Sequence, residues 1–232
     1  MKAVLLAAGK GERLGEITRA IPKPMVPLNG KPVIEWNIGL CKKHGITDIF
    51  INLHHLPNIF TDYLGNGERF SVTLTYAHET KLLGTGGGVK QFSKSLERAS
   101  FFVIYADNWS DYDLDAIRQH HEKVGAEMTI ALFHLEEVHL SGVAVMDHED
   151  RILEFVEKPD TSPPPSHWVN AGIYLIEPDL LSRIPDGTCD FGREVIPNWI
   201  EAGVHVAGIK MEEKVIPIDT PDLLEKAKIR EK

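Results

Sequence analysis

Residues 101–108 read FFVIYADN, six residues without a charge followed by Asp107 and Asn108. A strand with one face in water alternates polar and apolar residues, so an unbroken apolar run fits a central strand covered on both faces. Working outward, KAVLLA (2–7), DIFINL (48–53), VTLTYA (72–77) and EMTIALF (127–133) are further strand candidates. Segments of helical length separate them, and helices are expected at 32–44, 56–64, 86–97 and 113–124. Strands alternating with helices specify an α/β fold with a mainly parallel central sheet and helices on both faces, a three-layer sandwich. Beyond residue 140 the texture changes, because GVAVMD, ILEFVEK and WVNAGIYLI follow one another without full helices. They predict a small antiparallel extension. PDTSPPPSH (159–167) reads as a surface loop, EVIPNWIEAG returns to helix, and TPDLLEKAKIREK starts a last helix with Thr220 as cap and Pro221 at its first position.

The totals narrow the function. The chain has 232 residues, 43% of them hydrophobic, enough for a sizeable core. A net charge of −9 argues against nucleic acid or an anionic membrane as partner. No apolar run approaches the ~18 residues of a bilayer span, and a cytoplasmic location is expected. Cys41 and Cys189 are far apart and read as reduced, buried thiols. Histidine pairs occur at 54–55 and 120–121. Adjacent helical side chains diverge by about 100°, and no HExxH spacing occurs, so these histidines are expected at the surface or in a supporting role rather than on a metal.

In a doubly wound sheet, ligands gather at the carboxyl ends of the strands. AGKGER (8–13) follows the first strand and IPKPM (21–25) comes soon after. Glycines 9 and 11 let the backbone approach an anion, Arg13 offers a forked cation, and Pro22 and Pro24 set the direction of Lys23. Leu14 stands where a dinucleotide fingerprint needs its third glycine, and the P-loop spacing is absent. A glycine pair alone would equally serve as a plain turn with Arg13 solvated. Likewise Gly84, Gly86 and Gly87 in LLGTGG (82–87) would serve as a flexible turn. No Gly-x-Ser-x-Gly elbow is present and neither cysteine has an evident base, so covalent catalysis lacks support.

The ordered stretch LLAAGKGERLGEITRAIPKPMVPLNGKPVIEW (5–36) resembles the signature of the sugar nucleotidyltransferases, the nucleoside diphosphate sugar pyrophosphorylases. LLGTGG, YADN (105–108), FVEKP (155–159) and VNAGIY (169–174) extend the resemblance over nearly the whole chain. It implies a Rossmann-like single catalytic domain, with a nucleotide-binding half at about 1–135 and a sugar-binding half plus C-terminal helix at about 136–232. It further implies a nucleoside triphosphate and a sugar 1-phosphate as substrates, Mg²⁺ as cofactor, and pyrophosphate as product. A homo-oligomer is compatible with it.

Residue by residue, the resemblance places Leu6, Ala7, Ala8, Gly9, Gly11, Gly84 and Thr85 on the nucleotide, with Glu79 reading the base edge. A carboxylate there suits the two N–H groups of guanine, which favours GTP. Arg13 and Lys23 would meet the triphosphate, Lys158 the sugar phosphate, and Asn108, Gly142, Glu157 and Asn170 the sugar. Asp107 would hold the metal. Asp219 is the candidate second metal ligand, because Pro217 occupies the place where many members carry an aspartate; as a plain residue it would simply start a helix. The short chain and the DNWSD and DFGREVIP stretches look closest to mannose or heptose 1-phosphate guanylyltransferases. The alternatives are a uridylyl- or cytidylyltransferase, the latter suggested by the DTPDL ending, or a non-catalytic sugar-nucleotide binding module.

Overall fold

The computed structural model describes residues 1–9, 11, 14–15, 17–212, 215–218 and 221–228. Three expectations, Arg13, Asp219 and the cap Thr220, lie outside the described residues. The first part alternates as expected: β1 (Lys2–Leu6), a short α1 (Ile17–Ala20), the two-residue strands β2 (Pro27–Leu28) and β3 (Lys31–Pro32), α2 (Val33–Lys43), β4 (Asp48–Leu53), α3 (Pro57–Leu64) and β5 (Thr73–His78). Next come α4 (Gly84–Lys90), α5 (Ser93–Leu96), β6 (Phe101–Tyr105), β7 (Asn108–Ser110), α6 (Leu114–Val124) and β8 (Met128–His134). The remainder comprises β9 (Gly142–Met146), β10 (Ile152–Glu157), β11 (Trp168–Ile176), α7 (Ile196–Glu201), β12 (Val206–Lys210), β13 (Val215–Pro217) and α8 (Pro221–Lys228).

The main sheet runs β10-β9-β11-β6-β1-β4-β5, with β8 on β11 and β12 on β8. Strands β6, β1, β4 and β5 are parallel neighbours, whereas β11 runs antiparallel to β6 and to β8. FFVIY is covered on both faces. Phe102 and Ile104 join the core beneath α2, α3 and α6, and Phe101 and Val103 join the opposite core beneath α4, α5 and α7. Each fully buried phenylalanine contributes about 1.5–3 kcal/mol. The hairpin β9–β10 is the expected antiparallel extension.

Two expectations shift. The helix foreseen at 86–97 starts at Gly84 and divides into α4 and α5 at a tighter turn, where Phe92 N–H donates to the Val89 carbonyl (3.0 Å) and the Ser93 hydroxyl to the Lys90 carbonyl (2.6 Å). The 120–121 pair is not a surface pair. His121 is buried, with Nδ1 against the Thr129 hydroxyl (2.7 Å) and Nε2 against Glu177 (3.0 Å). It lies on the inward stripe of α6 with Leu114 and Ile117, a spacing of i, i+3, i+7 that the sequence contained. Cys41 and Cys189 are free and buried, as expected.

Candidate active site

The sheet order reverses at β1: β4 and β5 extend to one side and β6 to the other. A crevice opens at the carboxyl ends of strands at such a point. Here it forms a cavity of about 540 Å³. Leu6, Ala7, Ala8, Gly9 and Gly11 line it from the end of β1. The backbone of Gly11 is left-handed (φ +66°), and a Cβ there would stand 2.8 Å from Cβ of Lys23. This glycine is therefore required twice, for its φ and for the passage of the lysine stem. The Gly11 carbonyl accepts from Leu14 N–H (3.1 Å) and from the buried Thr18 hydroxyl (2.9 Å), which pins the turn.

Lys23 opens a single 3₁₀ turn, Lys23–Met25, behind Pro22. Pro22 enters the turn in an extended conformation (φ −56°, ψ 144°) and Pro24 lies within it. The Lys23 side chain is 7% exposed, and Nζ donates to Oδ2 of Asp107 at 2.5 Å. Asp107, two residues past the end of β6, is 30% exposed at the cavity wall. A buried ammonium is tolerable only with such a partner. The backbone around Asp107 is anchored from two sides. Asn37 Nδ2 donates to the carbonyls of Ala106 (3.2 Å) and Asn108 (3.0 Å), and Ile218 N–H donates to the carbonyl of Asp107 itself (3.2 Å).

The opposite wall holds Asn52, Glu79, Gly84 and Thr85. Glu79 is 6% exposed and already engaged. Its Oε1 accepts from Asn52 Nδ2 (2.8 Å) and Gln91 Nε2 (3.1 Å), and its Oε2 from Leu83 N–H (2.9 Å). Asn52 in turn accepts from Ala7 N–H (2.8 Å), so one buried network ties the first turn to the Leu83 loop. The expectation that Glu79 offers both oxygens to a base edge is thereby reduced: a carboxylate has about four acceptor sites, and three are used within the protein.

The residues expected on the sugar, Asn108, Gly142, Glu157 and Asn170, do not line this cavity; they group beyond Tyr105, which does. The link is a bulge in β11, where the pairing with β8 jumps between Asn170 and Tyr174 and Gly172 adopts φ +74°. Asn170 Nδ2 donates to Tyr174 Oη (2.6 Å), Tyr174 Oη donates to Tyr105 Oη (3.1 Å), and Asn108 Nδ2 donates to the Ala171 carbonyl (3.2 Å). Burial raises both tyrosine pKa values, that of Tyr105 well above 10, so both phenols stay neutral. Glu157 is half-buried against Gly142 and Gly192; a Cβ on either glycine would stand 2.8 or 2.6 Å from its Oε2. Burial first, and then the nearby Asp190 carboxylate, raise the Glu157 pKa. Lys158 is exposed at a left-handed turn (φ 56°) just past β10 and does not line the cavity.

Asp190 lines the cavity and was not singled out by sequence reasoning. It caps one turn of π-helix, Phe191–Val195, by accepting from Gly192 N–H (3.0 Å) and Arg193 N–H (3.2 Å). An aspartate ahead of the apolar run FGREVIPNWI is a legible helix-start signal, but its approach to the cavity is not.

A family model, described as nucleotidyl transferase, matches residues 2–214. The chain belongs to the nucleotidyl transferase family. A UTP–glucose-1-phosphate uridylyltransferase of Synechocystis sp. is 36% identical over 94% of this chain and 60% of that protein. A mannose-1-phosphate guanylyltransferase of Mycobacterium tuberculosis is 32% identical over 87% of this chain and 56% of that protein. The chain thus spans less than two thirds of the length of these relatives. Among solved structures, a UDP-glucose pyrophosphorylase complexed with UDP-glucose superposes with a TM-score of 0.86 at 21% identity, over 98% of this chain and 97% of that one, a likeness of fold. The mixed, mainly parallel sheet with helices on both faces is the Rossmann-like arrangement of this family.

The donor set can be tested against magnesium. Asp107 presents one partly exposed carboxylate at the cavity wall, and Mg²⁺ typically takes one or two protein carboxylates together with phosphate oxygens and water. The residue therefore fits. Another acidic group, His44 with Asp113 and Asp115, does not include Asp107. Its members are engaged structurally: Asp113 caps α6, and Asp115 pairs with Arg118 (3.3 Å).

Proposed function

We propose that this protein is a sugar-1-phosphate nucleotidyltransferase that joins a nucleoside triphosphate to a sugar 1-phosphate and releases pyrophosphate. The observation that carries this reading is the Lys23–Asp107 pair in the crevice, a buried cation gripping the one acid at the end of the central strand. No nucleophilic side chain is needed, because a phosphate oxygen of the sugar phosphate can attack the α-phosphorus in line. The task left to the protein is to bring two anions together and to stabilise charge on the departing pyrophosphate.

In this reading the backbone from Ala7 to Gly11 receives the triphosphate, and the Lys23 ammonium, joined by Arg13, meets the leaving group. Asp107, with Asp219, would hold Mg²⁺, which when bound neutralises phosphate charge. A polyphosphate competes with Asp107 for Lys23, so the ion pair holds each group in place until substrate arrives. Glu157, Asn170 and Asn108, over Gly142, form the sugar end, and Lys158 reaches the sugar phosphate.

GTP and a mannose-type sugar are the favoured pair. The relatives named as mannose-1-phosphate guanylyltransferases support it, as does an acid, Glu79, in the wall. UTP with glucose 1-phosphate is the second reading, favoured by the Synechocystis relative and by the commitment of Glu79 to protein donors. The test is pyrophosphate release from four triphosphates against a set of sugar 1-phosphates, with and without Mg²⁺. Release restricted to one base identifies the donor. Tight sugar-nucleotide binding without release in any combination would overturn the catalytic reading in favour of a binding module.

A further inference from the structure

The three glycines of LLGTGG are not a flexible turn. Added Cβ atoms at 84, 86 and 87 would all run into the segment 187–189: into the Cys189 backbone from Gly84, to within 2.8 Å of the Cys189 thiol from Gly86, and into the Gly187 carbonyl from Gly87. The glycines exist so that the two segments can touch. Hydrogen bonds then lace them together. The Cys189 carbonyl accepts from Gly86 N–H (3.0 Å) and Gly87 N–H (3.4 Å), and Cys189 N–H donates to the Leu83 carbonyl (3.0 Å). At the end of this seam the Thr85 hydroxyl donates to Asp190 Oδ2 (2.9 Å) and accepts from Phe191 N–H (2.7 Å). Thr85 was expected on the nucleotide, yet its hydroxyl is spent on the segment that leads to Gly192 and Glu157.

We propose that Thr85 is a positioning residue for the sugar side: acting through Asp190, it fixes the turn 190–193 against Glu157, so that the nucleotide loop and the sugar end form one rigid unit. The inference rests on the nucleotidyltransferase reading. With its carboxylate shared among Thr85, Gly192 N–H and Arg193 N–H, Asp190 has both oxygens directed by the protein. Remove the threonine hydroxyl and one oxygen loses its donor, the Phe191 N–H loses its acceptor, and the carboxylate can swing in the cavity. The consequence falls on the sugar end, because it is Gly192 of this turn that packs against Glu157.

The experiment uses the substrate pair that gives the highest wild-type rate. Thr85→Val keeps the shape and removes the hydrogen bonds; Thr85→Ser restores them. Asp190→Ser keeps a capping oxygen but withdraws the partner of Thr85. Thr85→Val should raise KM for the sugar 1-phosphate about tenfold or more while KM for the triphosphate stays within about twofold, as expected when a hydrogen bond to a charged group is lost. Thr85→Ser should return both constants to within about twofold of wild type, and Thr85→Val should add little on an Asp190→Ser background. Thermal unfolding of each variant separates a folding defect from the KM split, and the serine variant keeps the test valid should the valine variant not fold. An equal or larger rise in triphosphate KM, no rescue by serine, or full additivity with Asp190→Ser would overturn the inference alone. A wild-type protein that releases no pyrophosphate with any pair would overturn the activity reading, and this inference with it.

Discussion

Lys23→Met removes the ammonium from the crevice and keeps an unbranched stem beside Gly11, where a Cβ would already be only 2.8 Å from the lysine Cβ. Two magnitudes can be worked from the geometry. Breaking a fully buried ion pair costs about 3–5 kcal/mol, because a charge is left without a partner. Here that charge is Asp107, 30% exposed, so water receives it, and the loss should not exceed about 2 kcal/mol, or roughly 4–8 °C in Tm for a chain of this size. The effect on catalysis is larger, since one preorganised donor aimed at developing charge is worth about 2.7–4 kcal/mol, roughly 10²–10³ in turnover. Initial rates of pyrophosphate release at saturating triphosphate and Mg²⁺, measured beside thermal unfolding, resolve the two. Lys23→Arg restores charge, but its wide planar head replaces a compact ammonium at Asp107 and should recover activity only in part. A folded Lys23→Met variant whose turnover stays within about threefold of wild type would refute the placing of this lysine on the leaving group.

Gly11→Ala should lower stability by about 1–2 kcal/mol for the left-handed backbone alone and push the Lys23 stem aside, so triphosphate KM should rise; an unchanged KM in a folded variant argues against the cradle. Glu157 is held above its ordinary 4.5 by burial and by Asp190. The folded state therefore keeps that proton to higher pH than the unfolded chain, and stability falls as pH rises from the unfolded value to the raised folded one. Glu157→Gln escapes this loss, so its Tm relative to wild type should climb as pH rises above about 4; a constant difference would contradict the assignment. Burial pushes the Cys41 thiol up to about 12 and also raises that of Cys189. Iodoacetamide at about pH 8 should label neither in the native protein and both after denaturation, as mass spectrometry would count.

Much of the architecture was legible because strands and helices announce themselves locally. DIFINL matches β4 residue for residue, and FFVIY is the double-faced strand its composition demanded. The missed features have a different origin. The expected helix tightens into a turn at Phe92, where Phe92 N–H donates to the Val89 carbonyl, and His121 was judged as half of a pair when its partners were Leu114 and Ile117, seven and four residues upstream. Asp190 sits in a short loop with no periodicity to mark it.

The linear order of residues was sufficient to establish the parallel strands, the Gly-x-Gly turn after the first of them and the brace of prolines around Lys23, because each depends on neighbours within a few positions. Tertiary structure alone decided that Lys23 meets Asp107 across 84 positions and Thr85 meets Asp190 across 105. It also decided that Glu79 is consumed by Asn52, Gln91 and Leu83. Such contacts follow from how twisted layers bring distant loops to one edge of a sheet, and no local pattern of hydrophobicity or turn chemistry encodes that distance.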